Sequence, residues 1–180
     1  GEPPMLPSSF ENKSACCFTG HRPRGLPGGG RDASPEMERL RFLLRQCIES
    51  AVRMGVTTFL CGGAAGFDTV AAESVLLLKR AYHPQLRLLL ALPGKAQPDA
   101  FSPAMRERYE RILQSASSVY YASQGACAAS AMMARNRYLV EHADCCIAYL
   151  RHMSGGTLYT VNYALNCGIP VYNLALYDKS

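Results

Sequence analysis

From Ala15 onward, short apolar runs alternate with segments of helical periodicity. The runs are Ala15–Phe18 (ACCF), Thr57–Cys61 (TTFLC), Leu86–Leu92 (LRLLLAL), Ser118–Ala122 (SVYYA), Cys145–Leu150 (CCIAYL) and Pro170–Leu174 (PVYNL). Short runs apolar on both sides of the pleat predict strands buried on both faces of a sheet. Between the first two, Ser34-Pro35 reads as an N-cap followed by proline at the first helical position. Met37, Leu40, Leu44, Cys47, Ile48 and Ala51 then recur at helical spacing, and Gly55 ends that helix. Further helices are predicted from the Gly62–Gly66 turn to about Ala81, from Ser102-Pro103 to about Gln114, over Ala128–His142, and from the Ser154–Thr157 turn to Gly168. Six strands alternating with helices predict a three-layer α/β fold with a mainly parallel sheet, right-handed crossovers and helices on both faces. Residues 1–13 (GEPPMLPSSFENK) lack periodicity and are expected to be a flexible lead-in, leaving 14–180 as a single domain.

Composition sharpens this picture at a few points. The 180 residues are 48% hydrophobic and only 18% charged, which suits one domain with doubly buried strands. The formal net charge of +5 fits an anionic ligand without demanding nucleic acid. The eight cysteines form no C-x-x-C pair and sit mostly in apolar runs, so they are expected to be reduced core thiols of a cytoplasmic protein. His21, His83, His142 and His152 have no metal-ligand spacing, so no metal site is expected and no cofactor is required. No run is long and apolar enough to span a membrane, and no basic segment precedes an apolar one at the N-terminus.

In parallel sheets, ligands bind beyond the carboxyl ends of the strands, so the turns that follow strands are the candidate chemistry. After the first strand come Thr19, Gly20 and Arg22: a hydroxyl, a glycine that lets backbone approach a ligand, and a guanidinium suited to phosphate. After the second, Gly62-Gly63-Ala64-Ala65-Gly66-Phe67-Asp68 runs into a helix N-terminus, where backbone N–H groups can hold an anion. This is neither a P-loop nor a G-x-G-x-x-G turn. Asp68 is either an acceptor for a ribose hydroxyl or a carboxylate that stabilises the helix dipole. After the fifth strand, Ser154-Gly155-Gly156-Thr157 offers a second helix N-terminus for phosphate. Arg135 and Asn136 are adjacent on a predicted helix and point about 100° apart, so one of them can face the ligand edge.

These residues also carry a resemblance. FTGHRP at Phe18–Pro23, CGGAAGFDTVAAE at Cys61–Glu73, ERYERIL at Glu107–Leu113, ARNRYLVEHADCCIAYL at Ala134–Leu150 and SGGTLYTVNYALNCGIPVY at Ser154–Tyr172 are similar, in order and combination, to the YpsA-like branch of the SLOG superfamily. That superfamily also holds the DNA-processing protein DprA/Smf and the LOG phosphoribohydrolases. The resemblance covers roughly Ala15 to Leu174. It implies a Rossmann-like (SLOG, MCP-YpsA-like) fold and a pocket for a nucleotide or nucleotide-derived ligand, lined by Gly62, Gly63, Gly66, Gly155, Gly156 and Thr157. Arg135 matches the family's arginine on the helix before the fifth strand. The phosphoribohydrolase branch pairs that arginine with a glutamate shortly after its glycine turn; here Leu158, Tyr159 and Thr160 follow, with Thr160 in the region where a carboxylate would stand.

Three functions follow as expectations. The first is binding, or sensing, of a nucleotide-like small molecule, in a chain that can form a homo-oligomer and has no membrane partner. The second is an enzyme that hydrolyses the N-glycosidic bond of a nucleoside monophosphate or a dinucleotide. Its oxocarbenium-like transition state calls for a carboxylate, for which Asp68 and Glu73 are the candidates. The third is single-stranded DNA binding of the DprA kind, with Tyr109, Tyr120, Tyr121 and Tyr138 as available rings. The missing glutamate and the mild charge favour the first.

Overall fold

A computed structural model describes residues 4–125 and 127–178. Six strands, β1 (Ala15–Gly20), β2 (Thr58–Cys61), β3 (Arg87–Leu92), β4 (Ser118–Tyr121), β5 (Cys145–Tyr149) and β6 (Val171–Asn173), form one sheet in the order β4-β3-β2-β1-β5-β6. All pairings are parallel. The connecting helices are α1 (Pro35–Met54), α2 (Phe67–Ala81), α3 (Pro103–Ser115), α4 (Ala129–Glu141) and α5 (Gly155–Asn166).

The strand order dictates the layers. From β1 the chain steps outward to β4, with α1, α2 and α3 on one face. It then crosses back to β5 on the other side of β1, and a right-handed crossover in that reversed direction puts α4 and α5 on the opposite face. Residues along each strand alternate between the two cores. Cys16 and Phe18 of β1 join the α1–α3 side with Ile147 and Tyr149 of β5, while Cys17 joins Cys146 and Ala148 under α4 and α5.

Local signals explain the helices. Ser34 caps α1 by accepting the Met37 N–H at 3.2 Å, and Ser102 caps α3 by accepting from Met105 at 3.2 Å. The α1 stripe of Met37, Leu40, Leu44, Cys47, Ile48 and Ala51 is wholly buried. Each large aliphatic side chain in it stabilises the fold by about 1.5–3 kcal/mol relative to an exposed one.

Part of the expected lead-in is packed rather than free. Ser8–Phe10 form a 3-10 turn, Leu6 and Phe10 enter the core, and the Asn12 N–H bonds Met54 O at 3.0 Å. Leu6 and Phe10, set among prolines and serines, make no periodic pattern in the sequence. Residues 1–3 lie outside the described residues.

No disulfide joins the described cysteines. Cys16, Cys17, Cys47, Cys61, Cys145 and Cys146 are buried, Cys127 is half-buried and Cys167 exposed. Among the described residues, no cluster of His, Cys, Asp and Glu suits a metal, and no helix is long and apolar enough to cross a membrane.

Candidate functional site

All three glycine turns open on the carboxyl edge of the sheet, around the β1/β5 switch point. There the ends of β1, α4 and α5 enclose a cleft of about 350 Å³. Thr19, Gly20, Arg22, Asp68, Arg135, Asn136, Gly155, Gly156 and Thr157 all line it. A groove of about 700 Å³ lies between α2 and α3, floored by Leu76, Leu77 and Ile112. It has no converging backbone donors, so the smaller cleft is the candidate site.

Gly62, Gly63 and Gly66, expected to touch the ligand, do not line the cleft; they are glycines for packing reasons. A Cβ on Gly62 would stand 2.7 Å from Arg135 Nη1 and 2.9 Å from Asp68 Oδ2. On Gly63 it would meet Leu92 at 2.6 Å, and on Gly66 the His21 carbonyl oxygen at 2.6 Å. Gly20 is similarly constrained, because a Cβ there would fall 2.4 Å from the Phe67 ring. In the second turn, only Ala64 and Asp68 reach the cleft wall.

Arg135 is 5% exposed. Its Nη1 donates to the Gly62 carbonyl, and its Nε donates to Asn136 Oδ1 at 2.8 Å. The neighbouring asparagine therefore orients the guanidinium, while both side chains face the cleft. Asp68 accepts the Ala64 N–H at 3.2 Å. Burial pushes its carboxyl above the ordinary carboxylate range, against the opposing pull of Arg135, the Ala64 N–H and Arg22. Burial likewise holds the Arg135 guanidinium below its ordinary value, and Asp68 works against that. Asp68 and Arg135 thus share a desolvated corner, with the exposed Arg22 at the mouth, its Nη2 3.8 Å from Met132 Sδ.

At the start of α5, Gly155 and Gly156 are exposed and Thr157 is buried. A Cβ on Gly156 would find no neighbour closer than Asn136 Nδ2 at 3.7 Å, so this helix end is open to an incoming group. Thr160 is not where a catalytic carboxylate would be needed. It is fully buried and donates back to the Gly156 carbonyl at 2.8 Å. Glu73 lies outside the cleft, gripping Arg108 of α3 through two bonds at 3.0 and 2.6 Å. Among the described residues, Asp68 is the only carboxylate lining the cleft.

Several contributors were not legible in the sequence. Met132, Met133 and Leu139 form an apolar wall from α4. Asn173 bonds both backbone groups of Leu150, accepting its N–H at 2.9 Å and donating to its carbonyl at 2.9 Å, so β6 fixes the start of the β5–α5 loop. His21, noted in the sequence only for lacking metal spacing, contacts two other loops. Of the tyrosines, Tyr109 is in the core, whereas Tyr120 is 41% exposed and stacks on Tyr138, which stacks on His142.

Similarities to known proteins agree with this architecture. The SPbeta prophage-derived protein YoqJ of Bacillus subtilis is 27% identical over 143 residues, which cover 73% of this chain and 83% of that one. The UPF0398 protein BH1768 of Halalkalibacterium halodurans is 32% identical over 106 residues, 58% of this chain and 56% of that one. Among solved structures, DNA processing protein A from Helicobacter pylori, described for its single-stranded DNA binding mode, superposes with a TM-score of 0.61 at 17% identity. It is matched over 93% of this chain and 67% of its own. DprA from Streptococcus pneumoniae gives 0.61 at 16% identity, over 92% of this chain and 51% of its own. The chain therefore spans about half the length of the Halalkalibacterium relative and of the streptococcal DprA. At such identities the two structures speak for the fold alone. The YpsA family model, described as the YspA SLOG family, matches residues 16–168, and the chain belongs to that family.

Proposed function

We propose that the cleft binds the phosphate end of a nucleotide-derived small molecule. The observation that carries this reading is a convergence: the exposed Gly155-Gly156 start of α5, Arg22 and Arg135 all line one cleft of about 350 Å³. Backbone N–H groups at a helix N-terminus and two guanidiniums form an anion site by ordinary electrostatics. Met132, Met133 and Leu139 supply an apolar wall suited to a base or sugar face. In this reading Asp68, which lines the same cleft as Arg135, accepts a ribose hydroxyl.

AMP, ADP-ribose and inorganic phosphate should each be tested for a rise in melting temperature, since a ligand that binds only the folded state stabilises it. Gly156→Asp should abolish the rise. The substitution sets a carboxylate where phosphate would sit, and an acidic residue in a first helical turn does not harm folding. A folded Gly156→Asp protein that binds as well as wild type would overturn the reading.

Single-stranded DNA binding draws support from the DprA likeness only. The ring series Tyr120–Tyr138–His142, half-buried at Tyr138, has centroid spacings of 3.8 Å, so its inner faces are already stacked on one another. That leaves little aromatic face for bases.

A further inference from the structure

One residue joins the three loops at the switch point. The His21 carbonyl accepts the Phe67 N–H at 3.0 Å and so fixes the start of α2. Its Nε2 accepts two consecutive backbone N–H groups from the β5–α5 loop, Arg151 at 2.8 Å and His152 at 3.0 Å. A ring nitrogen that accepts carries no proton, so the imidazole is neutral with its proton on Nδ1. The ring is closely seated: a Cβ on Gly25 would stand 2.6 Å from His21 Cβ and 2.8 Å from Cγ. The segment held at Nε2 leads directly into Ser154–Thr157, one wall of the cleft.

We propose that His21 is a pH-sensitive latch: its neutral Nε2 holds the β5–α5 loop in the geometry that presents the α5 N-terminus to the cleft, and protonation at Nε2 releases that loop. The consequence for ligands rests on the phosphate reading above; the latch itself does not. Protonation removes the acceptor shared by both N–H groups and sets a new N–H against them, so both bonds fail together. The surroundings offer the charged ring little help. From the β5–α5 loop it faces Arg151 and the His152 ring, whose centroid is 5.2 Å away. Arg22 follows it in the chain, and Arg24 stands on the 3-10 turn that carries Gly25. At the start of α2, Asp68 is engaged with the Ala64 N–H and lies beside Arg135. Burial, then His152 and Arg151, lower the imidazole from its ordinary value of 6.5. The neutral, latched state therefore holds above that value and is lost as pH falls from it through the lower folded-state value.

Nitrogen NMR of the imidazoles, with backbone amide exchange between about pH 4.5 and 7.5, tests this. The expected result is an Nδ1–H tautomer at the upper end, with protection of the Arg151 and His152 amides falling at least about tenfold as His21 titrates. His21→Gln puts a non-titrating amide oxygen where Nε2 stood and should keep the protection at every pH. His21→Leu should lose it at every pH while the protein still melts cooperatively. Calorimetry with AMP should show affinity falling with pH more steeply in wild type than in His21→Gln, which corrects for titration of the phosphate itself. An Nε2–H tautomer near neutrality, or amides that stay protected while His21 is charged, would overturn the latch. Absence of AMP binding at any pH would overturn the phosphate reading, and the exchange data would still decide the latch.

Discussion

Gly66→Ala tests whether the second glycine turn is a packing element or a ligand contact. Gly66 is the N-cap of α2, with φ 102° and ψ −127°, a region that side chains other than glycine rarely enter. Holding alanine there costs about 1–3 kcal/mol. The added Cβ would also stand 2.6 Å from the His21 carbonyl oxygen and 2.8 Å from Arg22 Cα, both backbone atoms that cannot swing aside. Relief of that contact moves the carbonyl that accepts the Phe67 N–H at 3.0 Å, and a lost hydrogen bond adds about 0.5–1.5 kcal/mol. The sum is a loss of about 2–4 kcal/mol. For a domain of this size each kcal/mol moves the midpoint about 2–4 °C, so melting should fall by about 5–15 °C. Gly156→Ala is the control. Its φ is not left-handed and its nearest neighbour is 3.7 Å away, so stability should stay within about 0.5 kcal/mol of wild type. Thermal and urea unfolding followed by circular dichroism measures both variants. If Gly66→Ala melts with wild type, or Gly156→Ala loses as much, the division between a packed turn and an open one is wrong.

Base release from AMP, CMP and NAD, followed by chromatography, should be absent or far below about 1–10 s⁻¹, an ordinary enzyme rate. Turnover in that range that disappears in Asp68→Asn would make the protein an N-glycosidic hydrolase with Asp68 as its carboxylate. Asn173→Ala removes the bonds to Leu150 N, Leu150 O and Ala175 N and should cost about 2–4 kcal/mol in urea unfolding. An unchanged midpoint would show that Asn173 does not hold the β5–α5 loop. In alkylation followed by intact-mass measurement, exposed Cys167 should react first and the six buried thiols only on unfolding. Cys47, pushed up to about 12 by burial, should be among the slowest; its early reaction would contradict the packing of α1.

The sheet was legible because a doubly buried strand announces itself as a continuous apolar run. CCIAYL is a strand whichever face each residue takes, and only the structure assigns Cys145 to one core and Cys146 to the other. The helix starts were legible where a cap was local, as at Ser34-Pro35. The candidate cleft was legible as a set of turns, since topology puts every such turn on one edge. What each residue does there was less accessible. His21 and Arg151 are 130 positions apart, and no local pattern encodes an imidazole accepting from that backbone. Glu73 lay near a glycine turn in sequence but follows it by two helical turns, which carry it to Arg108 and away from the cleft. Thr160 kept its hydroxyl inside its own helix, a bond that removes it from any ligand.

The two Gly-Gly turns look alike in sequence and differ in kind. The turn after β2 is glycine-rich because a Cβ at Gly62, Gly63 or Gly66 would meet a neighbour at 2.6–2.7 Å. Asp68 and Arg135 both crowd the space a Gly62 side chain would need, and the Gly62 carbonyl is itself a partner of the guanidinium. The turn at α5 has open space around its glycines, with nothing within 4 Å of a Cβ on Gly155. Packing accounts for the first turn, because each of its three glycines faces a neighbour that a side chain would overlap. In the second, the left-handed backbone accounts for Gly155, while Gly156 is left open with its nearest neighbour 3.7 Å from a Cβ. The backbone of Gly155 has φ 84°, and its N–H groups head a helix at the rim of a cleft that already contains two guanidiniums. On the proposed phosphate reading, anion contact falls to the α5 turn, and the β2 turn, whose Gly62 carbonyl accepts from Arg135, orients the guanidinium at the cleft.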